Sequence, residues 1–461
     1  MSRELDLAGR VVELVREIAG PEAEAEAAAT YTDRALTRFA NSSIHQNVAD
    51  ETTGLRLRLH VDGRTAAGSS TVVTDEGLRV LVERTVAAAR LCPPDPAWPG
   101  LAPASPVAPG NWDSATAHAS PDERADRVRA FVDAAGGLET AGYCRTVNWA
   151  GAFANSAGQA VTGRSAEAAM DGIARTGGID GVARRNTGRL SDLDGAVLGA
   201  RAAAKARAGA APIELAPGRY EVVLEPTAVV DILQNLAIFG FNGKAYNERR
   251  SFAEPGVAQF DPAITLVDDA LDTLGLPYDT EGTPKRRVAL VERGVTRTVT
   301  HDRRTAAEAG ATSTGHALAG GPSFGAVPTN LRLLPDGQDE NGSGPTEVAG
   351  PVVDSDTAAL IVGVRRGLLV TDFWYTRVLD PKSLVVTGLT RNGVWLVEDG
   401  EVTTAVRNFR FTQSYPQALA PGGVLGVGRY ASLLPDSWDA SWWSAPALRL
   451  ASWNFTGGAS G

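Results

Sequence analysis

Cysteine is scarce in this sequence, with only Cys92 and Cys144 among 461 residues. Two cysteines cannot form a disulfide framework or a cysteine-rich zinc knot. We therefore expect a pair of reduced and inert thiols, with a single bridge between them as the alternative.

The sequence also lacks a long apolar run. No window approaches the roughly 18 uninterrupted apolar residues of a membrane-spanning helix, and no apolar stretch follows Met1 as in a secretory signal. We therefore expect a cytoplasmic protein without a membrane partner. The 54 acidic residues outnumber the 44 basic ones, so nucleic acid is a poor candidate partner because its phosphates attract the opposite charge.

Familiar catalytic motifs are absent as well. The five histidines are His45, His60, His118, His301 and His316, and no two lie three to five residues apart. The sequence has no His-Glu-x-x-His, no Cys-x-x-Cys, no Gly-x-Ser-x-Gly and no Gly-x-x-x-x-Gly-Lys-Ser/Thr. Only a zinc site assembled from distant histidines and carboxylates stays open.

The periodicity of the sequence indicates both helices and strands. Helices are predicted at 5–19, 75–90, 191–208 and 227–239, and another begins at the N-cap Ser120 with Glu123 closing a capping box. Residues 55–61 alternate as a strand into the turn Asp62-Gly63, which would place Arg56, Arg58 and His60 on a solvent face. Hairpins are predicted around 140–190, one turning at 155–158.

Seven prolines between Cys92 and Gly110 indicate a linker or an extended wrap, because proline interrupts both helices and ladders. We predict an N-terminal α+β domain over 1–110, including this stretch, and a central α+β domain over 111–212. Short β-prone runs then predict a large, mainly antiparallel, barrel- or sandwich-like domain over 213–461. The predicted class is α+β.

The most polar stretch contains His301, Asp302, Arg303 and Arg304, followed by His316. Paired arginines suit a carboxylate, so these residues are a candidate contact for a peptide or another subunit. The alternative is a charged loop that pairs internally.

Several short motifs, taken together and in this order, resemble the TldD/PmbA metallopeptidase family. They extend over most of the chain: 36–41 with 45–47, 279–284, 286–287, 294–295, 301–307, 329–331, 388–393, 407–414 and 452–458.

This resemblance implies a peptidase made of two related subunits, of which one carries His-Glu-x-x-x-His and zinc on a helix after a strand and a proline turn. The turn here is Glu225-Pro226, and the motif positions fall on residues 234–239. Gln234 and Phe239 replace the histidines and Asn235 replaces the glutamate. An amide cannot act as a general base and phenylalanine cannot bind zinc.

The chain therefore resembles the non-zinc, TldE/PmbA-like subunit. We expect no catalytic residue, metal or cofactor on this chain, zinc on a TldD-like partner, and unfolded or short peptides as substrates. A stand-alone, non-catalytic peptide-binding or scaffold protein of the same fold is the alternative. An independent hydrolase with an unrecognised site is a third hypothesis.

Overall fold

The structure is a computed structural model that describes residues 2–272, 274–335, 352–435 and 441–458. Helices and mainly antiparallel sheets alternate along the chain, which confirms the predicted α+β class. Among the described residues, none of the helices combines the length and apolar character needed to span a membrane.

One antiparallel sheet of six strands occupies the first part of the chain, in the order β3-β2-β1-β4-β5-β6. The predicted turns at 62–63 and 155–158 connect β2 to β3 and β4 to β5. Because β1 pairs with β4 over fourteen positions, the sheet joins the segments on either side of the proline-rich stretch. The domain bounds at 110 and 212 stay a prediction. The strands are β1 (Glu24–Ala40), β2 (Ser43–Val61), β3 (Arg64–Ser70), β4 (Glu139–Asn155), β5 (Ala160–Thr176) and β6 (Ile179–Thr187).

Helices cover one face of this sheet and bury their apolar sides against it. The predicted capping box at Ser120 is confirmed. The helix predicted from Ser191 begins instead at Gly195, because the Asp194 carboxylate accepts the first backbone N–H groups while Ser191 lies in a 3₁₀ turn. The helices are α1 (Arg3–Ala19), α2 (Asp75–Leu91), α3 (Ser114–Ala117), α4 (Pro121–Ala134) and α5 (Gly195–Ala208).

The opposite face of the sheet is covered by the rest of the chain, so the predicted solvent face of Arg56, Arg58 and His60 is wrong. The Arg58 guanidinium lies 2.6 Å from a Glu26 carboxylate oxygen and donates to Glu281 at 2.8 Å. Arg56 donates to the carbonyl of Ala319. Alternation showed which residues share a face, but it could not show what covers that face.

The proline-rich stretch is an extended wrap over the same face. The Trp98 ring stacks on His60 at 4.9 Å, and its indole N–H donates to Glu24 at 2.6 Å. Further along, the side chain of Asn155 donates to the carbonyl of Ala102. These contacts replace the ladder hydrogen bonds that the prolines exclude.

A closed barrel forms the centre of the second half of the chain. Strands pair in the order β12-β7-β19-β15-β13, and β13 pairs with β12 again. In addition, β14 pairs with β13 and β16 pairs with β19. The pairing of β7 with β12 is parallel. The strands are β7 (Gly218–Leu224), β12 (Arg366–Asp380), β13 (Val385–Glu398), β14 (Glu401–Ala405), β15 (Phe409–Ser414), β16 (Val424–Val427) and β19 (Leu448–Gly458).

A second sheet of short strands packs beside the barrel in the order β10-β9-β8-β11-β18-β17. One large apolar cluster fills the space between these strands and α6. The strands are β8 (Leu266–Asp268), β9 (Val288–Glu292), β10 (Val295–Thr296), β11 (Leu331–Leu333), β17 (Ser432–Leu434) and β18 (Trp443–Ala445), and the helices are α6 (Pro226–Asn235), α7 (Gly243–Asn247), α8 (Arg303–Glu308), α9 (Gly321–Phe324), α10 (Ser355–Ile361) and α11 (Tyr415–Ala418).

We predict that Arg58→Gln destabilises the fold by about 3–5 kcal/mol at pH 7, because it leaves two buried carboxylates without their cation. Burial already raises the pKa of Glu26, and removal of the cation raises it further. A carboxyl whose pKa is raised on folding lowers the stability of the folded state as the pH rises. The stability difference between wild type and Arg58→Gln therefore shrinks from pH 7 towards pH 5.

Urea unfolding at both pH values measures the effect. Arg56→Gln is the matched control, because Arg56 lies on the same strand face and donates a hydrogen bond to a backbone carbonyl rather than to a carboxylate. We expect this variant to lose about 1 kcal/mol, with a smaller pH dependence, because Arg56 lowers the pKa of Glu26 through its charge alone, without a hydrogen bond to it. Equal losses in the two variants would contradict the interpretation.

Candidate functional site

The candidate site lies on α6, which begins directly after β7 and the residue Glu225. The Glu225 carboxylate accepts two hydrogen bonds from Lys205 of α5, at 2.9 and 2.7 Å, and both side chains are buried. The backbone N–H of Glu225 donates to the carbonyl of Val370 in β12. Pro226 occupies the first turn of the helix, where a missing N–H costs nothing. The start of α6 is therefore fixed from two sides.

The three positions singled out on this helix do not form a zinc site. Asn235 donates its amide to the backbone carbonyl of Asp231 at 2.9 Å. Phe239 packs against the apolar core from the π-helical turn that follows α6, and Gln234 is half-buried. Zinc in proteins takes imidazole, thiolate or carboxylate ligands, and none of these three side chains supplies one. The residues present do not fit the metal that the family resemblance implies.

Asp231, one turn before Asn235, is the centre of a hydrogen-bonded cluster. Its carboxylate accepts from Tyr415 at 2.6 Å and from Thr376 at 2.8 Å. Burial raises the pKa of this carboxyl to about 6; the two hydroxyl donors lower it, and the nearby charge of Asp372 raises it. Both oxygens are engaged within the chain, so the group positions α6 against β12 and α11.

Asp372 links the same region to the first sheet. It accepts from Arg184 of β6 at 2.7 Å and from Asn392 of β13 at 3.0 Å. Arg184 also donates to Asp171 of β5 at 2.9 Å. A guanidinium shared between two carboxylates thus connects the barrel to the edge of the N-terminal sheet.

The second predicted group lies around α8 and makes its contacts inside the chain. Asp302 is the N-cap of α8 and forms a capping box with Thr305. His301 is buried beside the same threonine, with its Nδ1 3.2 Å from the hydroxyl. Burial lowers the pKa of His301 and favours the neutral ring.

The two arginines and His316 have internal partners too. Arg304 binds Asp95 with two hydrogen bonds, at 3.0 and 2.7 Å, and these lower the pKa of Asp95 to about 2. Arg303 donates to two carbonyls of the proline-rich wrap. His316 is buried with its Nε2 2.9 Å from Asp268.

The structure thus shows internal pairing for His301, Asp302, Arg303, Arg304 and His316. In the described part of the chain, no hydrogen bond or ion pair joins them to residues 234–239. Their contact with a peptide or another subunit stays a prediction.

Sequence reasoning missed Asp231, the residue on α6 with the most polar contacts. A signal was present, because a single carboxylate interrupts the apolar run from Val229 to Leu233. A buried carboxylate requires hydrogen-bond donors. The donors, Thr376 and Tyr415, are more than 140 residues away, and no local pattern identifies them.

Family models match both halves of the chain. The PmbA/TldA metallopeptidase C-terminal domain matches residues 217–457, and domain 1 of the same family matches residues 25–89. The barrel and α6 lie within the first match, which covers more than half of the chain. The fold is thus that of a metallopeptidase family. The chain belongs to the TldD/PmbA family.

Solved structures share this fold over nearly the whole chain. TldE from Thermococcus kodakarensis superposes with a TM-score of 0.83 at 18% identity, covering 98% of this chain and 100% of that one. A Thermotoga maritima protein described as a candidate modulator of a DNA gyrase gives 0.79 at 17% identity, covering 98% and 99%. An uncharacterized protein of Methanocaldococcus jannaschii is 33% identical over 116 residues, 24% of this chain and only 28% of that relative.

We predict that Asp231→Asn removes a pH-dependent cost of folding. The folded pKa of about 6 lies above the ordinary value of 3.8, so the wild-type carboxyl favours folding below about pH 4 and loses this contribution as the pH rises through 6. From pH 4.5 to pH 7.5, the free energy of unfolding of the variant should rise relative to that of the wild type by on the order of 2 kcal/mol.

Urea unfolding of both proteins at the two pH values gives this difference, since other titrating groups cancel. Asp126→Asn, at an exposed ion pair of α4, is the control and should show little change. A stability difference between wild type and Asp231→Asn that is the same at both pH values would rule out the proposed titration.

Proposed function

We propose that this chain is the TldE/PmbA-like subunit of a heteromeric zinc metallopeptidase that degrades or processes unfolded or short peptides. Zinc and the general base belong to a TldD-like partner. The observation that carries the proposal is α6, which has the position expected for the zinc helix but presents Gln234, Asn235 and Phe239 at the motif positions.

The way α6 is held supports this interpretation. Lys205, Thr376 and Tyr415 bind side chains at its start and its centre. The contacts that hold the helix in place are therefore present, although the zinc ligands are missing from the motif positions. Among the described residues, no group of three His, Cys, Asp or Glu side chains is arranged to hold a metal ion.

Exposed aromatic side chains near α6 are a candidate contact for the partner. Trp374 and Tyr375 are 52% and 63% exposed, although Thr376 beside them binds Asp231. Tyr375 adopts a left-handed backbone with φ of 52°, a conformation that is strained for a tyrosine. Two aromatic-rich stretches of the sequence, 373–375 and 438–443, are candidate contacts of this kind. Of their other aromatic residues, Phe373, Trp442 and Trp443 are buried, and Trp438 lies outside the described residues.

The alternative function is a stand-alone peptide-binding or scaffold protein. One edge of the N-terminal sheet favours it, since among the residues that the structure describes β1 is the only strand that pairs with 43–54 of β2, and this segment is mostly exposed. An open edge of this kind accepts an added strand. Activity measured with and without the partner separates the two functions.

Restoring the motif should not by itself produce a good enzyme. Gln234→His, Asn235→Glu and Phe239→His together remove the Asn235 hydrogen bond and place an imidazole where a ring packs on the core. We expect a loss of roughly 2 kcal/mol or more and weak zinc affinity, since zinc ligands need orienting partners and the nearby Asp231 carboxylate is already bound by Thr376 and Tyr415. Elemental analysis and thermal unfolding measure both. A stable variant with robust zinc-dependent peptidase activity would show that the prediction is wrong.

The partner proposal is tested by co-expressing the tagged chain with a His-Glu-x-x-x-His relative. Mass and peptidase activity are then measured across a gel-filtration profile. We expect a complex that holds about one zinc per pair and carries the activity, while the isolated chain has neither. Full activity of the zinc chain alone, or failure of the tagged chain to retain it, would overturn the proposal in favour of the scaffold.

Variants of the complex locate the contact. Trp374→Ala with Tyr375→Ala should reduce retention of the partner, because exposed aromatic residues are enriched in interfaces. Leu91→Ala is the control, since Leu91 is 89% exposed at the end of α2. If the double variant and the Leu91→Ala control retain the partner equally, the interface lies elsewhere.

A further inference from the structure

A groove of about 480 Å³ lies between α2 and β3, the outermost strand of the first sheet. Gly68 lines the groove at a close approach of these two elements, because an added side chain there would collide with the hydroxyl of Thr85. The strand and the helix therefore lie side by side, and the groove between them opens along the outer edge of the strand. A groove of this size accepts a few residues of a peptide.

The outer edge of β3 carries unused backbone groups. The two-residue turn before this strand makes Val61 and Arg64 a hydrogen-bonded pair, and bonded positions alternate from there along an antiparallel pair of strands. The N–H and C=O groups of Ala67 and Ser69 consequently point away from β2. Both residues are exposed, and their backbone groups have no hydrogen-bond partner elsewhere in the described chain.

This edge lacks the usual protection against pairing. Proteins protect edge strands with charged side chains, prolines or bulges. Residues 66–70 are Ala-Ala-Gly-Ser-Ser, and their register with β2 is uninterrupted. The beginning of β3 is different, because Asp95 donates its backbone N–H to the carbonyl of Gly63 and accepts from the hydroxyl of Thr65. The open edge is therefore 66–70.

The helix side of the groove presents one charge of each sign at regular spacing. Four exposed residues of α2, each four positions after the last, line it: Glu76, Val80, Arg84 and Ala88. Glu76 and Arg84 are the charged residues of the groove, and neither forms an ion pair among the described residues. Four residues of a helix rise about 6 Å, close to the roughly 7 Å that two residues of a strand advance. Alternate side chains of an added strand would thus meet successive members of this row.

We propose that this groove binds an extended peptide segment as a seventh strand of the first sheet, antiparallel to β3 like the other pairings of that sheet. The segment carries a basic, an aliphatic and an acidic side chain at alternate positions, in this order from its N-terminus. The order follows from the direction of α2, which begins shortly after β3 ends and packs back along it. Glu76 therefore lies near the Ser70 end of the strand, where an antiparallel peptide begins.

One ligand accounts for both sets of unused groups. The basic side chain faces Glu76, the aliphatic one packs on Val80, and the acidic one faces Arg84. The two residues between them point their side chains away from the helix, and their N–H and C=O groups exchange hydrogen bonds with Ser69 and Ala67. The reverse order of charges would place like charges together, which discriminates against that peptide.

The test uses acetyl-Thr-Lys-Thr-Val-Thr-Glu-Thr-amide and a second peptide in which Lys and Glu are exchanged. Ligand-observed NMR titration of the isolated full chain gives both dissociation constants. We expect the Lys-first peptide to bind about tenfold more tightly, because both charge contacts become repulsive in the exchanged peptide. Equal affinity of the two peptides, or no binding of the Lys-first peptide at about 1 mM, overturns the proposal.

N-methylation separates backbone pairing from side-chain contact. Methyl groups on the amide nitrogens of the two threonines that flank valine remove both donors to the edge of β3. We expect this peptide to bind about tenfold more weakly or worse. N-methylation of the valine is the matched control, because its N–H points away from β3, and it should leave most of the affinity. An equal loss in the two methylated peptides would contradict strand addition.

A charge exchange on the protein tests the side-chain contacts. Glu76→Lys with Arg84→Glu should invert the preference between the two peptides, and both positions are exposed, so the fold should be retained. Glu83→Lys with Arg90→Glu is the matched control, because these residues are exposed on the same helix and do not line the groove. Circular dichroism checks the fold of both variants. An unchanged preference in the first variant would show that the helix does not select the peptide.

Sedimentation of the isolated chain examines the competing occupant, which is a second copy of this chain. We expect a monomer with an open groove. A dimer that the Lys-first peptide dissociates would make the second copy the natural occupant and overturn the peptide assignment. The proposal concerns a surface outside α6 and needs no zinc-bearing partner, so its failure leaves the subunit proposal intact. Failure of the co-expression experiment would likewise leave this groove untouched.

Discussion

The buried ion pair between Lys205 and Glu225 is the interaction on which the position of α6 depends. Both side chains are almost fully removed from water, and loss of either would leave an uncompensated charge that costs several kcal/mol. Lys205 belongs to the helical layer of the first sheet, while the Glu225 backbone is bound to β12 of the barrel. One residue pair therefore ties both halves of the molecule to the N-cap of α6.

The rest of the site continues this arrangement. Asp231 binds the barrel through Thr376 and the short α11 through Tyr415, and Asp372 binds the first sheet through Arg184. The carboxylates of Asp231 and Asp372 thus serve as structural links around α6. Such rigidity is what the proposed chamber-forming subunit would require.

Local patterns in the sequence predicted local structure well. The capping box at Ser120, the turn at 62–63 and the start of the helix after Glu225-Pro226 all depend on neighbouring residues, and the structure confirms them. Patterns failed where the outcome depends on distant residues. Arg58 looked solvent-exposed because nothing near it in sequence predicts Glu281, and Ser191 looked like a cap because Asp194 competes for the same role.

The placement of β19 has a consequence for biosynthesis. This strand lies between β7 and β15 in the interior of the sheet that forms the barrel, although residues 448–458 follow all the other strands in the chain. A ribosome releases the chain from its N-terminus, so 223 residues follow β7 before its antiparallel neighbour β19 begins, while its parallel neighbour β12 emerges earlier. During that interval at least one edge of β7 is unpaired. Chaperone capture of nascent chains is therefore expected to centre on the segment from β7 to α6.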